Sequence, residues 1–117
     1  MSDELIIKVS HMEGRVPVAV IHVVGDVDAN THQALDAKVD EVMAAGAENV
    51  LLDLTKVAYM SSAGFRSMHR LHTLTGEKGG VVKLLNPADE VKRLMKAMGF
   101  DTEMSAHTDL GQAIDAF

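Results

Sequence analysis

The sequence predicts an α/β fold, with a mixed, mostly parallel β-sheet of about four to five strands and about four α-helices. Two observations support this prediction. The chain opens with two strand-like runs separated by a turn signal, and helix-like and strand-like periods then alternate to its end. Because strands joined by helical crossovers lie parallel, most of the sheet should be parallel. The 117 residues are predicted to form a single domain, residues 1–117.

The first two strands are predicted to form a hairpin. The runs "LIIKVS" (Leu5 to Ser10) and "VPVAVIHVV" (Val16 to Val24) flank Glu13-Gly14, which is a turn signal. The second run is apolar on both faces except at His22, which is typical of a strand that is covered on both sides.

A helix and a buried strand follow the hairpin. Asn30, with Gln33 three residues later, resembles a capping box at the start of the helix, and Gly46 suits its left-handed end. The run "NVLLDL" (Asn49 to Leu54) then predicts a short buried strand. Four apolar residues at helical spacing define the buried face of the helix: Leu35, Val39, Val42 and Met43.

The second half of the chain repeats the alternation. A helix is predicted from Ser62 to about Thr75, and "GEKGG" (Gly76 to Gly80) turns into the strand "VVKLL" (Val81 to Leu85). In the next helix, "NPADEVKRLMKAMG", Asn86 is the expected cap and Pro87 the expected first residue.

The carboxyl-terminal segment is predicted to hold a short strand near Thr102 to Ser105 and a last helix from Thr108. The last helix carries three apolar residues at helical spacing: Leu110, Ile114 and Phe117.

Composition excludes several classes of function. The formal net charge is -6, and no run of Lys or Arg occurs, so nucleic acid and an anionic membrane surface are not expected partners. The chain has no cysteine, which excludes disulfides and thiolate zinc sites. Its acidic start is unlike a signal peptide, and no apolar run reaches the ~20 residues that span a bilayer. A cytoplasmic location is expected, and nothing implies a cofactor.

The stretch "YMSSAGF" (Tyr59 to Phe65) poses the functional question, because two serines follow a buried strand. A nucleophile elbow would need glycine two residues before Ser62, where the chain has Met60. His69 and His72 lie on the same predicted helix as the serines, so neither is an obvious triad base. No metal-binding motif accompanies these histidines, which are more typical of surface or partly packed residues.

Two interpretations of the serines remain open on physical grounds. Serine is a favoured helix N-cap, and a cap alone accounts for one of them. The same helix N-terminus is also a good seat for a phosphate, at the sheet edge where partners of α/β folds usually dock. Ala63 and Gly64 keep the surroundings small, which would leave a hydroxyl accessible to another protein.

Four stretches together resemble the STAS domain of bacterial anti-sigma factor antagonists. They are "GDVDANT", "VLLDLTKVAYMSSAGFRSM", "GGVVKLLNPADEVKRLMKAMGF" and "DLGQAI". The resemblance runs from about Leu5 to Phe117, in the same order and at compatible spacing. Its most specific part is the strand followed by Asp-Leu-Thr, a valine, a tyrosine and the Ser-Ala-Gly group.

The resemblance implies a phosphorylation site and a partner surface. In that family the serine before the small residue and glycine is phosphorylated, which by position is Ser62, with Ser61 as a rival acceptor. The family's acidic loop beside that site corresponds to Asp28, although Asp28 and Asn30 are equally compatible with simple helix capping. The partner-binding residues so implied are Asp28, Asn30, Thr31, Ser61, Ser62, Ala63, Gly64 and Arg66.

The resemblance also implies a function. The unphosphorylated domain would bind an anti-sigma factor that is also a serine kinase of the GHKL type, and phosphorylation would release it. A phosphatase of the PP2C type would reverse the modification, so that the domain regulates transcription without catalysis of its own. One alternative is an accessory subunit of a lipid or anion transporter, without phosphorylation. Another is a small-molecule sensor that uses the same site.

Overall fold

The computed structural model describes residues 4–117, so the first three residues of the acidic start lie outside the described residues. The predicted α/β class is confirmed. The strands are β1 (Ile6–Glu13), β2 (Pro17–Val24), β3 (Val50–Lys56), β4 (Val82–Leu85) and β5 (Ala106–His107). The helices are α1 (His32–Ala44), α2 (Ser62–Glu77), α3 (Asp89–Ala97) and α4 (Leu110–Asp115), with a 3₁₀ turn at Phe100–Thr102. No helix of residues 4–117 is both long and apolar enough to cross a membrane.

The strands form a single sheet in the order β1-β2-β3-β4-β5. The pair β1–β2 is antiparallel, as the predicted hairpin requires, and the other three pairs are parallel. The carboxyl ends of β2, β3 and β4 therefore share one edge of the sheet. The loops that follow β2 and β3 begin at that edge.

Helices cover the two faces of the sheet unequally. One face packs against α1, α2 and α3 in the larger core cluster, to which Ile21 and Leu52 contribute from the central strands. The other face packs only against α4, through Val20, Leu51 and Ile114. This smaller cluster covers the amino-terminal part of β2 and β3. Farther along the same face, Ile6 is 57% exposed and Val24 is 37% exposed, so that part of the sheet is open.

The first helix ends as predicted but begins differently. At its end Gly46 has φ 102°, and the N–H groups of Gly46 and Ala47 donate to Met43 and Val42, which is a Schellman motif. At its start the predicted capping box of Asn30 and Gln33 is wrong, because α1 begins after Thr31. Asn30 lies outside the helix.

The start of α3 also differs from the prediction. Ala88 precedes the helix, so Asn86 is not its cap and Pro87 is not its first residue. Asn86 instead closes β4 with a left-handed backbone, φ 50°, and its N–H donates to the carbonyl of His107. The backbone N–H of Asn86 thus forms a hydrogen bond with β5.

The short last strand begins later in the sequence than predicted. Residues 100–102 form a 3₁₀ turn, and β5 begins at Ala106, after the predicted segment of Thr102 to Ser105. The last helix begins at Leu110 rather than at Thr108, because Asp109 accepts a hydrogen bond from the N–H of Gln112. The predicted segment has one apolar residue, Met104, so its pattern did not specify which residues pair with β4.

Candidate functional site

The loops that follow β2 and β3 are joined at the carboxyl edge of the sheet. Val27 and Met60 form a single parallel β-bridge. The N–H of Ser61 donates to the carbonyl of Val27 at 2.8 Å, and the N–H of Val27 donates to that of Tyr59 at 3.1 Å. These bonds hold the "GDVDANT" loop beside the start of α2. The two stretches that the sequence singled out separately therefore form one surface.

Gly64 permits this close approach. A Cβ at Gly64 would overlap the side chain of Met60 and would lie 2.9 Å from both Cγ1 and the carbonyl oxygen of Val27. Any larger residue must therefore push the two loops apart. Gly64 is buried, as is Ala63 at 5% exposure. Both residues support the serines from beneath, although the sequence interpretation treated them as part of the partner-contacting surface.

The two serines have different environments. Ser62 is the first residue of α2 and is exposed, and its hydroxyl forms no hydrogen bond with any residue in 4–117. Ser61 occupies the N-cap position, but its hydroxyl caps nothing and is buried without a partner among those residues. Of the two interpretations left open, the one in which a serine hydroxyl caps α2 is therefore wrong. Of the two, only the Ser62 hydroxyl faces solvent.

The loop beside the serines is organised by Asp28. Its carboxylate accepts hydrogen bonds from the N–H of Asn30 at 2.9 Å and of Thr31 at 3.1 Å. The Thr31 hydroxyl donates to the carbonyl of Asp26 at 2.7 Å and accepts from the N–H of Asp28 at 3.0 Å. Thr31 is buried, whereas Asn30 is exposed. Asp28 therefore fixes the loop, and Asn30 is one of its exposed residues that a partner can contact.

Arg66 lies one turn after Ser62 on α2 and is exposed. It forms no ion pair with residues 4–117, so its guanidinium is available to a carboxylate or phosphate. Tyr59, 48% exposed, lies on the other side of the serines in the chain. Within four residues of Ser62 the chain thus carries an exposed cation, an exposed aromatic ring and the free N–H groups of a helix N-terminus.

The histidines of α2 form no hydrogen bond with Ser61 or Ser62. They contact Glu103 and Phe100 instead. The ring of His69 stacks on Phe100, with centroids 5.2 Å apart, and its Nδ1 lies 3.2 Å from the Glu103 carboxylate. His72 approaches the same carboxylate at 4.0 Å. No group of three metal-ligating side chains occurs in the part of the chain that the structure describes.

A second polar cluster, on the open part of the sheet, was missed by the sequence interpretation. The Ser10 hydroxyl lies 2.9 Å from Nε2 of His22, and Nδ1 of His22 lies 2.8 Å from the Asp53 carboxylate. The same carboxylate accepts hydrogen bonds from the N–H and the hydroxyl of Thr55, at 3.0 and 2.6 Å. The signal in the sequence was the pair of lone polar residues, His22 and Asp53, inside two otherwise apolar strands.

The cluster stabilises the charge of Asp53. Burial favours the neutral acid, but hydrogen bonds from the hydroxyl and N–H of Thr55, and then from His22, outweigh it. They lower the pKa of the Asp53 carboxyl below its usual value of 3.8. Asp53 is therefore an anion at neutral pH.

Comparison with known proteins identifies the fold. The family model of the STAS domain matches residues 10–113. A comparison with curated proteins gave no match. Among solved structures, an anti-sigma factor antagonist from Mycobacterium paratuberculosis is 22% identical, with a TM-score of 0.86, and the match covers 99% of this chain and 96% of that one.

The anti-sigma factor antagonist SpoIIAA is similar in two states. Its unphosphorylated form is 22% identical with a TM-score of 0.78, and the match covers 95% of each chain. The phosphorylated form from Bacillus is 20% identical with a TM-score of 0.73, over 95% of this chain and 98% of that one. At these identities the likeness concerns the fold.

Proposed function

The chain belongs to the STAS domain family, and from that premise we propose that it is an anti-sigma factor antagonist controlled by phosphorylation of Ser62. In its unmodified form the domain binds an anti-sigma factor that is also a serine kinase of the GHKL type. Phosphorylation releases the domain, and a phosphatase of the PP2C type restores binding. The domain thereby regulates sigma-factor-dependent transcription without catalysing the switch itself.

The observation that carries the proposal is the exposure of the Ser62 hydroxyl beside a buried Ser61 hydroxyl. A kinase must reach the oxygen that it modifies, and only Ser62 meets that condition without a movement of the backbone. The position at the start of α2 also suits the product, because free N–H groups and the helix dipole stabilise a phosphate there. SpoIIAA, which has the same fold, is known in both phosphorylated and unphosphorylated forms.

Charge provides the mechanism of release. A phosphate adds about -1.5 to -2 charges at neutral pH. In a complex that covers Ser62, this charge must lose water and is repelled by any facing carboxylate. In the free domain the phosphate stays solvated, and Arg66 is available on the next turn of the helix. Phosphorylation therefore costs little free energy in the free domain and much more in the complex.

The proposal is tested by mapping phosphate on the full chain isolated from its own cells under several growth conditions. Trypsin should release Val57 to Arg66, in which Ser61 and Ser62 are the only serine or threonine residues. Fragment ions distinguish the two hydroxyls. We expect phosphate on Ser62, in an amount that varies with growth conditions.

Ser62→Ala and Ser61→Ala chains, expressed in the same cells, are the matched controls. The first should lose the modification and the second should keep it. A peptide that stays unmodified under every condition, or phosphate found on Ser61 alone, would reject the proposal. The first of those results would favour a STAS domain that acts without phosphorylation.

A further inference from the structure

We propose that Ser10 is an activated nucleophile, which takes the acyl group of activated carboxylic esters or thioesters and then loses it to water. The site is the cluster of Ser10, His22 and Asp53 on the open part of the sheet. It is separate from Ser62, which carries the proposed switch. Each residue comes from a different strand, so the cluster forms only when β1, β2 and β3 have paired.

The hydrogen bonds determine the proton positions. Asp53 is an anion and can only accept, so the proton between Asp53 and His22 belongs to Nδ1 of the imidazole. In the neutral ring Nε2 is then an acceptor, and the Ser10 hydroxyl must donate to it at 2.9 Å. This is the arrangement in which a histidine acts as general base for a serine and a carboxylate holds the histidine's tautomer.

Hydrogen bonds hold the Asp53 carboxylate in place. Thr55 donates two hydrogen bonds to Asp53, and the amide of Asn86 donates to the Thr55 hydroxyl at 3.3 Å. The orientation of the carboxylate is therefore set by the ends of β3 and β4. The side chain of His22 is nevertheless 35% exposed, so the base is in contact with solvent.

A cavity of about 390 Å³ adjoins the cluster, and His22 and Asp53 form part of its wall. Ile6 and Val24 supply apolar surface to it, which suits an acyl chain. Lys8 and Lys56 also line it, and neither forms an ion pair within residues 4–117. Lys8 projects from the same face of β1 as Ser10, since alternate strand residues share a face. Substrates that carry a negative charge are therefore favoured.

The proposed reaction has two balanced steps. The Ser10 oxygen forms a bond to the carbonyl carbon as its proton passes to Nε2 of His22. The bond from that carbon to the leaving oxygen or sulfur then breaks, and the leaving group takes the proton from His22. In the second step water attacks the acyl-serine with His22 again as the base, which regenerates Ser10 and releases the acid. Asp53 is a positioning residue in both steps.

The test uses a fluorophosphonate probe on the full chain, with the product detected by intact mass and located in tryptic peptides. Ser10 is the only hydroxyl residue of Val9 to Arg15, which trypsin should release. We expect a single label on that peptide, and hydrolysis of p-nitrophenyl acetate that is lost in Ser10→Ala. Asp53→Asn should slow labelling about a hundredfold or more, within the range of general-base effects.

The chain provides matched controls for these measurements. Ser105 lies 3.1 Å from Nε2 of His107, but no carboxylate among residues 4–117 contacts that histidine, so Ser105 should stay unlabelled. Circular dichroism verifies that the variants are folded. The Nδ1 proton of His22 should give a downfield ¹H NMR signal that Asp53→Asn removes, which a purely packing role of Asp53 would not predict.

Two outcomes would overturn the proposal. One is the absence of label on wild-type Ser10 while a known serine hydrolase is labelled in the same reaction. The other is labelling or ester hydrolysis that persists in folded Ser10→Ala. Neither outcome affects the Ser62 switch, which is measured by phosphate mapping.

Discussion

Two regions of this domain each present a serine, Ser62 at the carboxyl edge of the sheet and Ser10 on its open face. The two hydroxyls have opposite environments. At the carboxyl edge the Ser62 hydroxyl is exposed and bonds to no residue in 4–117. On the open face the Ser10 hydroxyl is bonded to a histidine that a carboxylate orients. A serine without a base depends on an external enzyme for its modification, whereas a serine with its own base can attack a substrate directly. The side chains within hydrogen-bonding distance therefore decide the chemistry.

The largest expected effect tests the edge region. Ser62→Glu places a charge in the proposed contact surface, and we expect its affinity for a purified GHKL-type kinase that phosphorylates the domain to fall roughly a hundredfold, or about 3 kcal/mol. Ser62→Ala should bind as tightly as the wild type. Both affinities can be measured by titration calorimetry.

Ser105→Glu adds the same charge at another exposed serine, which precedes β5. Its affinity should match that of the wild type, since this residue is outside the proposed contact surface. Equal affinities for Ser62→Glu, Ser62→Ala and the wild type would show that the edge is not the binding surface.

A second prediction concerns the packing beneath Ser62. Gly64→Ala should lower the free energy of unfolding by about 1–3 kcal/mol, because the added methyl group overlaps the Val27 and Met60 segments. Gly76→Ala, on the same helix, meets no atom within 4 Å and should be stabilising by about 0.5–1 kcal/mol. Urea unfolding of both variants gives the comparison. Equal effects of the two substitutions would mean that the loops are not held in close contact at Gly64.

The third prediction tests the open face by pH. The pKa of Asp53 is lowered in the folded state, so its charge stabilises the fold above the unfolded pKa, and this stability is lost as pH falls through the folded pKa. Asp53→Asn should therefore cost about 1–3 kcal/mol near pH 7, since it removes charged hydrogen bonds. The difference from wild type should shrink as pH falls below about 4. A difference that is constant from pH 7 to pH 3 would show that the charge of Asp53 does not contribute.

The two regions also differ in how far the sequence could predict them. At the edge, the start of α2 at Ser62 was predicted correctly because a buried strand, small residues and an apolar helical stripe follow in order along the chain. The open face joins residues 12 and 31 positions apart, Ser10 with His22 and His22 with Asp53. Strand register decides that contact, and for His22 and Asp53 it depends on the pairing of β2 with β3, two strands that are separated in the chain by α1.

Hydrogen bonds caused the errors in the helix starts. Asn30 and Asn86 have the residue type of a cap, yet other interactions determine the backbone at both positions. The carboxylate of Asp28 holds the loop around Asn30, and the carbonyl of His107 and the hydroxyl of Thr55 engage Asn86. Capping propensity describes a local preference, and here contacts with other loops and strands outweighed it.

The smallest expected effect concerns Ser61, a third serine, whose hydroxyl oxygen is buried and has no base beside it. Its hydroxyl is buried without a hydrogen-bond partner among residues 4–117, so Ser61→Ala should change the free energy of unfolding by less than about 0.5 kcal/mol or raise it slightly. Asp109→Ala, which removes a cap that accepts from the N–H of Gln112, should cost about 1 kcal/mol. Thermal unfolding of the two variants compares Ser61, which is at an N-cap position but forms no capping bond, with Asp109, which forms one. If Ser61→Ala is as costly as Asp109→Ala, the Ser61 hydroxyl forms a bond in solution, and the contrast between an accessible Ser62 and an enclosed Ser61 must be drawn from phosphate mapping alone.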